Sequence, residues 1–172
     1  MNVSKSTIEK LTITDLEHFD AIAVMIEPYT PTSGKVTITQ FNKAWSYYWS
    51  HAGRPIKEFF LKCDKGYLID KFCPFLREEI DDDDEDGLWP VLKKEILRKR
   101  KEGGITKRQA RDLWDDAIGV DCWSRERLFS EVFGDEFWYR YPKKSNPEYA
   151  HMKKLLGHVQ AAIKQDLEAQ SA

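Results

Sequence analysis

Cysteine is scarce in this chain of 172 residues, and its three copies, Cys63, Cys73 and Cys122, form no C-x-x-C pair. An odd, dispersed set argues against a disulfide framework or a zinc ribbon and fits reduced thiols. No run of about 18 apolar residues is present to span a bilayer. The N-terminus lacks the apolar core of a secretory signal, so the expected compartment is the cytoplasm. Also missing are G-x-S-x-G, S-x-x-K, a Walker loop and G-x-G-x-x-G, the short signatures of nucleophilic or nucleotide chemistry. No internal repeat is visible. The net charge of −2 is not that of a dedicated nucleic-acid domain, which is usually basic.

What is present is ordinary for a globular protein of one domain, or one domain with an appendage: 41% hydrophobic, 33% charged and 13% aromatic residues. Charge is uneven. Residues 1–86 carry 10 basic and 16 acidic side chains, and residues 87–172 carry 17 and 13.

The first 41 residues read as strands. Residues 7–14 alternate, with Leu11 and Ile13 on one face; Ile22, Val24 and Ile26 alternate up to Pro28; Val36 and Ile38 alternate with Thr37 and Thr39. Short connections make this a three-stranded antiparallel meander with one face covered. The spacing Trp45, Tyr48, Trp49 (i, i+3, i+4) predicts a helix capped by Asn42, the joint where sheet and helices meet. After Pro55, residues Ile56, Phe59, Phe60 and Cys63 form a buried helical stripe, and residues 67–72 a shorter helix closed by Pro74.

Glu78–Asp86 holds eight acids in nine positions, which predicts a solvated linker. Beyond it, Trp89, Leu92 and Ile96 mark one helix that stops at Gly103-Gly104. Thr106 with Gln109 fits a capping box opening the next, whose stripe is Ala110, Leu113, Trp114, Ala117 and Ile118. Ser124–Phe133 is a short helix closed by Gly134, residues 137–141 are an aromatic run that suits an extended segment, and Ser145/Asn146-Pro147-Glu148 starts a last helix to about Glu168. The expected organisation is a β-meander with helices over 1–77, an acidic linker over 78–87, and a helical region over 88–172 packed with the first part. The fold class is α+β.

The blocks T-I-E-K-L-T-I-T-D, G-K-V-T-I, A-W-S-Y-Y-W-S-H-A-G and C-D-K-G-Y-L-I-D-K-F resemble a family of small accessory, early-region proteins from temperate phages and prophages of enteric bacteria, with an echo in F-W-Y-R-Y-P and N-P-E-Y. The similarity covers roughly residues 6–73. These blocks look structural, so the resemblance implies an early or accessory gene product in a bacterial host cell and transfers no site residue.

Candidate chemistry is sparse. Asp82, Asp84, Asp86 and Gly87 match the opening of a calcium loop, but its twelfth position is Lys93 instead of a bidentate Glu, so no metal site is expected. His151 and His158 are two helical turns, about 10 Å, apart, too far to share a metal. His18 and His51 have no ligand-spaced neighbour. The three cysteines sit in apolar company, where thiols behave as small hydrophobes.

Seven cations and one acid lie between Arg98 and Arg111. Arg98, Arg100, Lys101, Lys107, Arg108 and Arg111 are the candidate phosphate contacts, set against a bland reading as a solvated helix end. Their closeness in sequence to the acid run predicts mutual compensation, within the chain or between copies, and modest nucleic-acid affinity. Trp138, Tyr139, Arg140 and Tyr141 are the candidate partner contacts, because consecutive aromatics cannot all face inward on one strand.

The sequence therefore points to a non-enzymatic cytoplasmic interaction protein that acts on a host or phage protein without catalytic residues, cofactor or membrane. The alternatives are a nucleic-acid-associated accessory protein using the cluster 98–111, or an acidic DNA mimic using 78–86. Self-association stays open.

Overall fold

A computed structural model describes residues 1–3, 5, 8–82, 84–118 and 124–170, apart from the side chains of Glu85 and Asp86. Cys122 and Trp123 lie outside the described residues. The chain forms two compact units: residues 1–78 with 147–172, and residues 79–146.

The first unit is a four-stranded antiparallel sheet in sequential order, β1 (Glu9–Ile13), β2 (Ile22–Thr30), β3 (Ser33–Gln40) and β4 (Lys43–Trp49). Its register aligns Leu11 with Val24, Val24 with Ile38, and Ile38 with Trp45, so one apolar row crosses all four strands. Ile22, Val24, Ile26, Val36 and Ile38 are buried, and Leu11 and Ile13 pack against them half-buried. The period-2 reading of the first three strands therefore holds.

The meander has a fourth strand where a helix was expected. Five residues are too few to separate the two periods. Trp45, Tyr48 and Trp49 suit a helix face, but Trp45, Tyr47 and Trp49 also alternate, and that is the set turned toward the core. Aromatic residues favour a pleated surface, and β3 ends in a two-residue turn that hands the chain back into the sheet. Phe41 and Asn42 form it, Phe41 with a φ of 51°. Asn42 is thus a turn residue and not a helix cap.

Helices α1 (Ile56–Lys62), α2 (Lys65–Phe72) and α6 (Pro147–Gln170) belong to this unit, and their apolar residues join the sheet's core. Trp49 is where sheet and helices meet: its ring packs edge-on against Phe59, Phe60 and Phe72 with centroids 5.8–6.2 Å away. The indole Nε1 donates to the Tyr67 hydroxyl at 3.1 Å. Gly34 sits opposite Trp49, and a Cβ there would come within 2.8 Å of the Glu27 carbonyl oxygen, so β2 and α1 close tightly over it. From α6, Met152, Leu155, Leu156, Val159 and Ile163 are buried, and Gln160 donates to the Phe60 and Cys63 carbonyls at 3.0 and 2.9 Å, satisfying the free end of α1. Lys57 on α1 joins Glu9 of β1 to Asp166 of α6, the latter at 2.6 Å.

The second unit contains α3 (Glu85–Lys101), α4 (Lys107–Ala117), α5 (Arg125–Phe133), a 3-10 turn (Phe137–Arg140), and a two-stranded ribbon of β5 (Glu79–Asp81) and β6 (Lys143–Ser145). Its core is Leu88, Leu92, Ile96, Ala117, Leu128, Phe129 and Val132. The capping box at Thr106 and Gln109 forms as expected, with Gln109 N donating to Thr106 Oγ1 at 3.2 Å and Thr106 N to Gln109 Oε1 at 2.9 Å. Gly103, at a φ of 78°, ends α3. Ile118 falls past the end of α4 and is exposed. The acid run is not wholly a linker: Glu79–Asp81 pair with β6, and α3 starts at Glu85.

Two outcomes test this packing. Trp49→Ala lowers the unfolding free energy by about 3–5 kcal/mol, read from the shift in urea midpoint; a loss under about 1 kcal/mol would remove Trp49 from the core. The second concerns Lys57. Burial pulls its pKa down, but hydrogen bonds to Asp166 and Glu9 outweigh burial and leave it above the ordinary lysine value. A lysine raised on folding contributes stability that is complete below its unfolded pKa of about 10.4 and is lost as pH climbs through the folded value. The melting-temperature gap between wild type and Lys57→Met therefore stays constant from neutrality to about pH 10 and closes above it. A gap already closing between about pH 7 and 9 contradicts the ion cluster.

Candidate functional site

The basic cluster occupies the tip of the α3–α4 hairpin. Arg98 is held by its own helix: Nε and Nη2 donate to Glu95 at 2.9 and 2.6 Å, and Nη1 donates to Glu102 at 2.5 Å. Those contacts hold the Glu95 carboxyl below its usual range, with Lys99 and Arg140 adding to the effect. Arg100, Lys101, Lys107, Arg108 and Arg111 are exposed and have no ion pair or side-chain hydrogen bond among the described residues. On α4, Lys107 and Arg111 are four residues apart and Arg108 and Arg111 three, so their side chains form one basic row. Asp116, farther along α4, lies 4.0 Å from Arg127.

The aromatic run is a 3-10 turn and not an extended segment. Three residues per turn send its side chains in three directions, which suits consecutive aromatics better than a strand. Phe137 packs on the core of the second unit, while Trp138 and Tyr139 are 50% and 75% exposed. Tyr141, just past the turn, lies flat on Phe129 with centroids 4.4 Å apart and planes 5° from parallel. Arg140 is exposed and near enough for its charge to act on Glu95. Two of the four candidate partner residues are thus presented aromatic rings, a third is their charged neighbour, and Tyr141 is the anchor.

The acid run is occupied by lysines from elsewhere. Lys144 on β6 places Nζ 3.0 Å from Asp82 and 2.7 Å from Asp84, Lys143 pairs with Asp81, and Lys153 on α6 lies 3.7 Å from Glu78. Lys144 holds the Asp82 carboxyl below its usual range, and Asp84 and Asp82 in turn raise Lys144. Compensation of this run by the basic joint is therefore not what the described residues show. The length of α3, about 25 Å at 1.5 Å per residue, keeps the two ends roughly three Debye lengths apart at physiological salt. The ammonium of Lys144 bridges two of the carboxylates, Asp82 and Asp84, that a calcium loop would turn on its metal. Asp86, the third residue of that loop match, has no described side chain, and no group of three or more metal-ligating residues occurs among the described residues.

One feature of the first unit was not legible beforehand: a groove of about 640 Å³ between the start of β4, the loop after α2 and the first turns of α6. Trp45, Phe75, Leu76 and Met152 supply its apolar lining, and Lys43, Glu148 and His151 its charged or polar groups. Its thiol, Cys73, is pushed up by burial and by Glu148, against weaker opposing effects of Trp45 and Lys43, so it stays protonated at neutral pH. Burial likewise pushes up Cys63. His151 hydrogen-bonds Gln40 Oε1 at 2.8 Å and stacks on Phe19, whose ring also meets His158. The exposed Phe75 beside Pro74 was the available signal, but the groove's other walls arrive from two distant stretches of chain, β4 and α6. His18 and His51 are exposed. No helix among the described residues is long and apolar enough to cross a membrane.

The chain belongs to a phage protein family, Phage_phiTE_072, whose model matches residues 1–165. No curated protein and no solved structure matches it.

With Lys144 already bridging Asp82 and Asp84, millimolar calcium leaves the melting temperature unchanged within error. A rise of several degrees at micromolar calcium would show a site that outcompetes the lysine, since a ligand of the native state stabilises by mass action.

Proposed function

We propose that this phage protein works by binding and not by catalysis, as an accessory factor in the cytoplasm of the bacterial host that engages a host or phage protein through the aromatic turn Phe137–Arg140. The observation that carries this reading is the pair Trp138 and Tyr139, standing in solvent on a turn pinned by the flat Tyr141–Phe129 stack. Exposed large aromatics next to an arginine are the residue types that dominate binding energy at protein interfaces. Pre-fixing them lowers the ordering cost of association. Burying the two rings in a partner would recover a few kcal/mol at about 25 cal/mol per Å², enough to matter in a transient contact.

The test is capture from nuclease-treated lysate of infected cells, with wild type beside the double variant Trp138→Ala/Tyr139→Ala. The variant keeps the wild-type melting temperature within a few degrees and loses the captured protein at least tenfold. Equal capture by a folded double variant would remove the turn from the interface.

A further inference from the structure

We infer that the tip of the α3–α4 hairpin binds the phosphate backbone of nucleic acid, without reading base sequence. This is independent of the aromatic-turn reading and rests on different residues.

Three observations carry it. Arg100, Lys101, Lys107, Arg108 and Arg111 are exposed and have no charged partner among the described residues, although acids are abundant in the chain. Of the acids near it in sequence, Glu95 and Glu102 are taken by Arg98 and Asp116 lies 4.0 Å from Arg127, while Asp112 and Asp115 on α4 are exposed and form no ion pair with the basic row among the described residues.

Second, Lys107 and Arg108 lie in the first turn of α4, which has no acid there. The amino end of a helix carries partial positive charge, and cations placed at it are unfavourable for the helix itself. The cluster is therefore arranged against the needs of α4, and an anion at the tip would relieve both the dipole and the mutual repulsion of the cations.

Third, the oxygens of the capping box are committed. Thr106 Oγ1 and Gln109 Oε1 are both bound within the capping box, so contact with a partner falls to the charged side chains, which a phosphate backbone meets whatever the sequence. Phosphate, repeated at close intervals along a strand, is the anion that five cations spread over two helix ends can meet together. An acidic protein segment is the competing occupant, less favoured because a carboxylate chain lacks that regular spacing.

The experiment is fluorescence anisotropy of the full chain with a labelled mixed-sequence duplex of about 30 base pairs, a length that more than covers five phosphate contacts. Binding at low salt is expected, with a slope of log K against log salt of about −4.5 for five phosphates, equal to a loss of several hundred-fold between 50 and 200 mM. Arg100→Glu/Lys107→Glu/Arg108→Glu lowers affinity at least tenfold and flattens the slope, with melting temperature preserved. A control with the same change in net charge, Lys10→Glu/Lys62→Glu/Lys154→Glu, leaves affinity within about twofold, because those lysines are not part of the cluster. A second mixed-sequence duplex binds equally. The inference is overturned by absence of binding at 50 mM salt, by equal loss in the control variant, by a slope shallower than about −2, or by poly-glutamate binding more tightly than duplex at matched salt.

Discussion

A sheet with one apolar face has to have that face covered, and in this chain the cover is completed from the far end of the sequence. Two helices follow the sheet directly, but α1 and α2 are short, seven and eight residues. The third, α6, has 24 residues and supplies Met152, Leu155, Leu156, Val159 and Ile163 to the same core as Ile22, Val24 and Ile38. Its Gln160 closes the carbonyl end of α1, and its Asp166 anchors Lys57. That closure also makes residues 79–146 an insertion between α2 and α6 rather than a tail.

Within the inserted unit, charge is sorted along α3. Acids gather at its amino end and bases at its carboxyl end, the distribution its dipole favours. The β5–β6 ribbon adds Lys143 and Lys144 at the acidic end, so the repulsion of that run is relieved locally. The other end receives no such relief. Arg98 has Glu95 and Glu102, but the cations beyond it run straight into those opening α4.

What could be read from the sequence tracks how local the determining interaction is. The capping box at Thr106 and the stripe of α4 as far as Ala117 depend on residues three or four apart and were legible. So was the alternation of β2 and β3, whose faces are buried on one side and half-exposed on the other. β4 was misread because Trp45–Trp49 satisfies both periods, and only pairing with β3 decides between them. β5 was hidden by composition: Ile80 is the single apolar residue among eight acids, and its strand exists because Lys143 and Lys144 arrive from 60 residues away. The groove at Trp45 and Phe75 offered only Phe75 beside Pro74 as a signal, because its other walls come from distant parts of the chain. Which core receives α6 was not legible, because the start signal at Asn146-Pro147-Glu148 fixes a helix and not what it packs against.

The two candidate surfaces differ in what their residues do for folding, and that difference separates a site from decoration. Tyr141 and Phe137 are tied to the core, so the aromatic turn has a structural reason to exist, and only Trp138 and Tyr139 exceed it. At the hairpin tip the excess is larger. Exposed ion pairs contribute little to stability, so leaving five cations unpaired costs little directly. Placing Lys107 and Arg108 at the positive end of α4 is different, because it opposes the helix it sits on. Natural sequences are mostly consistent from local preference to global fold, and departures from that consistency collect where function demands them. By that criterion the hairpin tip departs from the needs of the fold more clearly than any other described part of the second unit, and the departure has the sign an anionic partner requires.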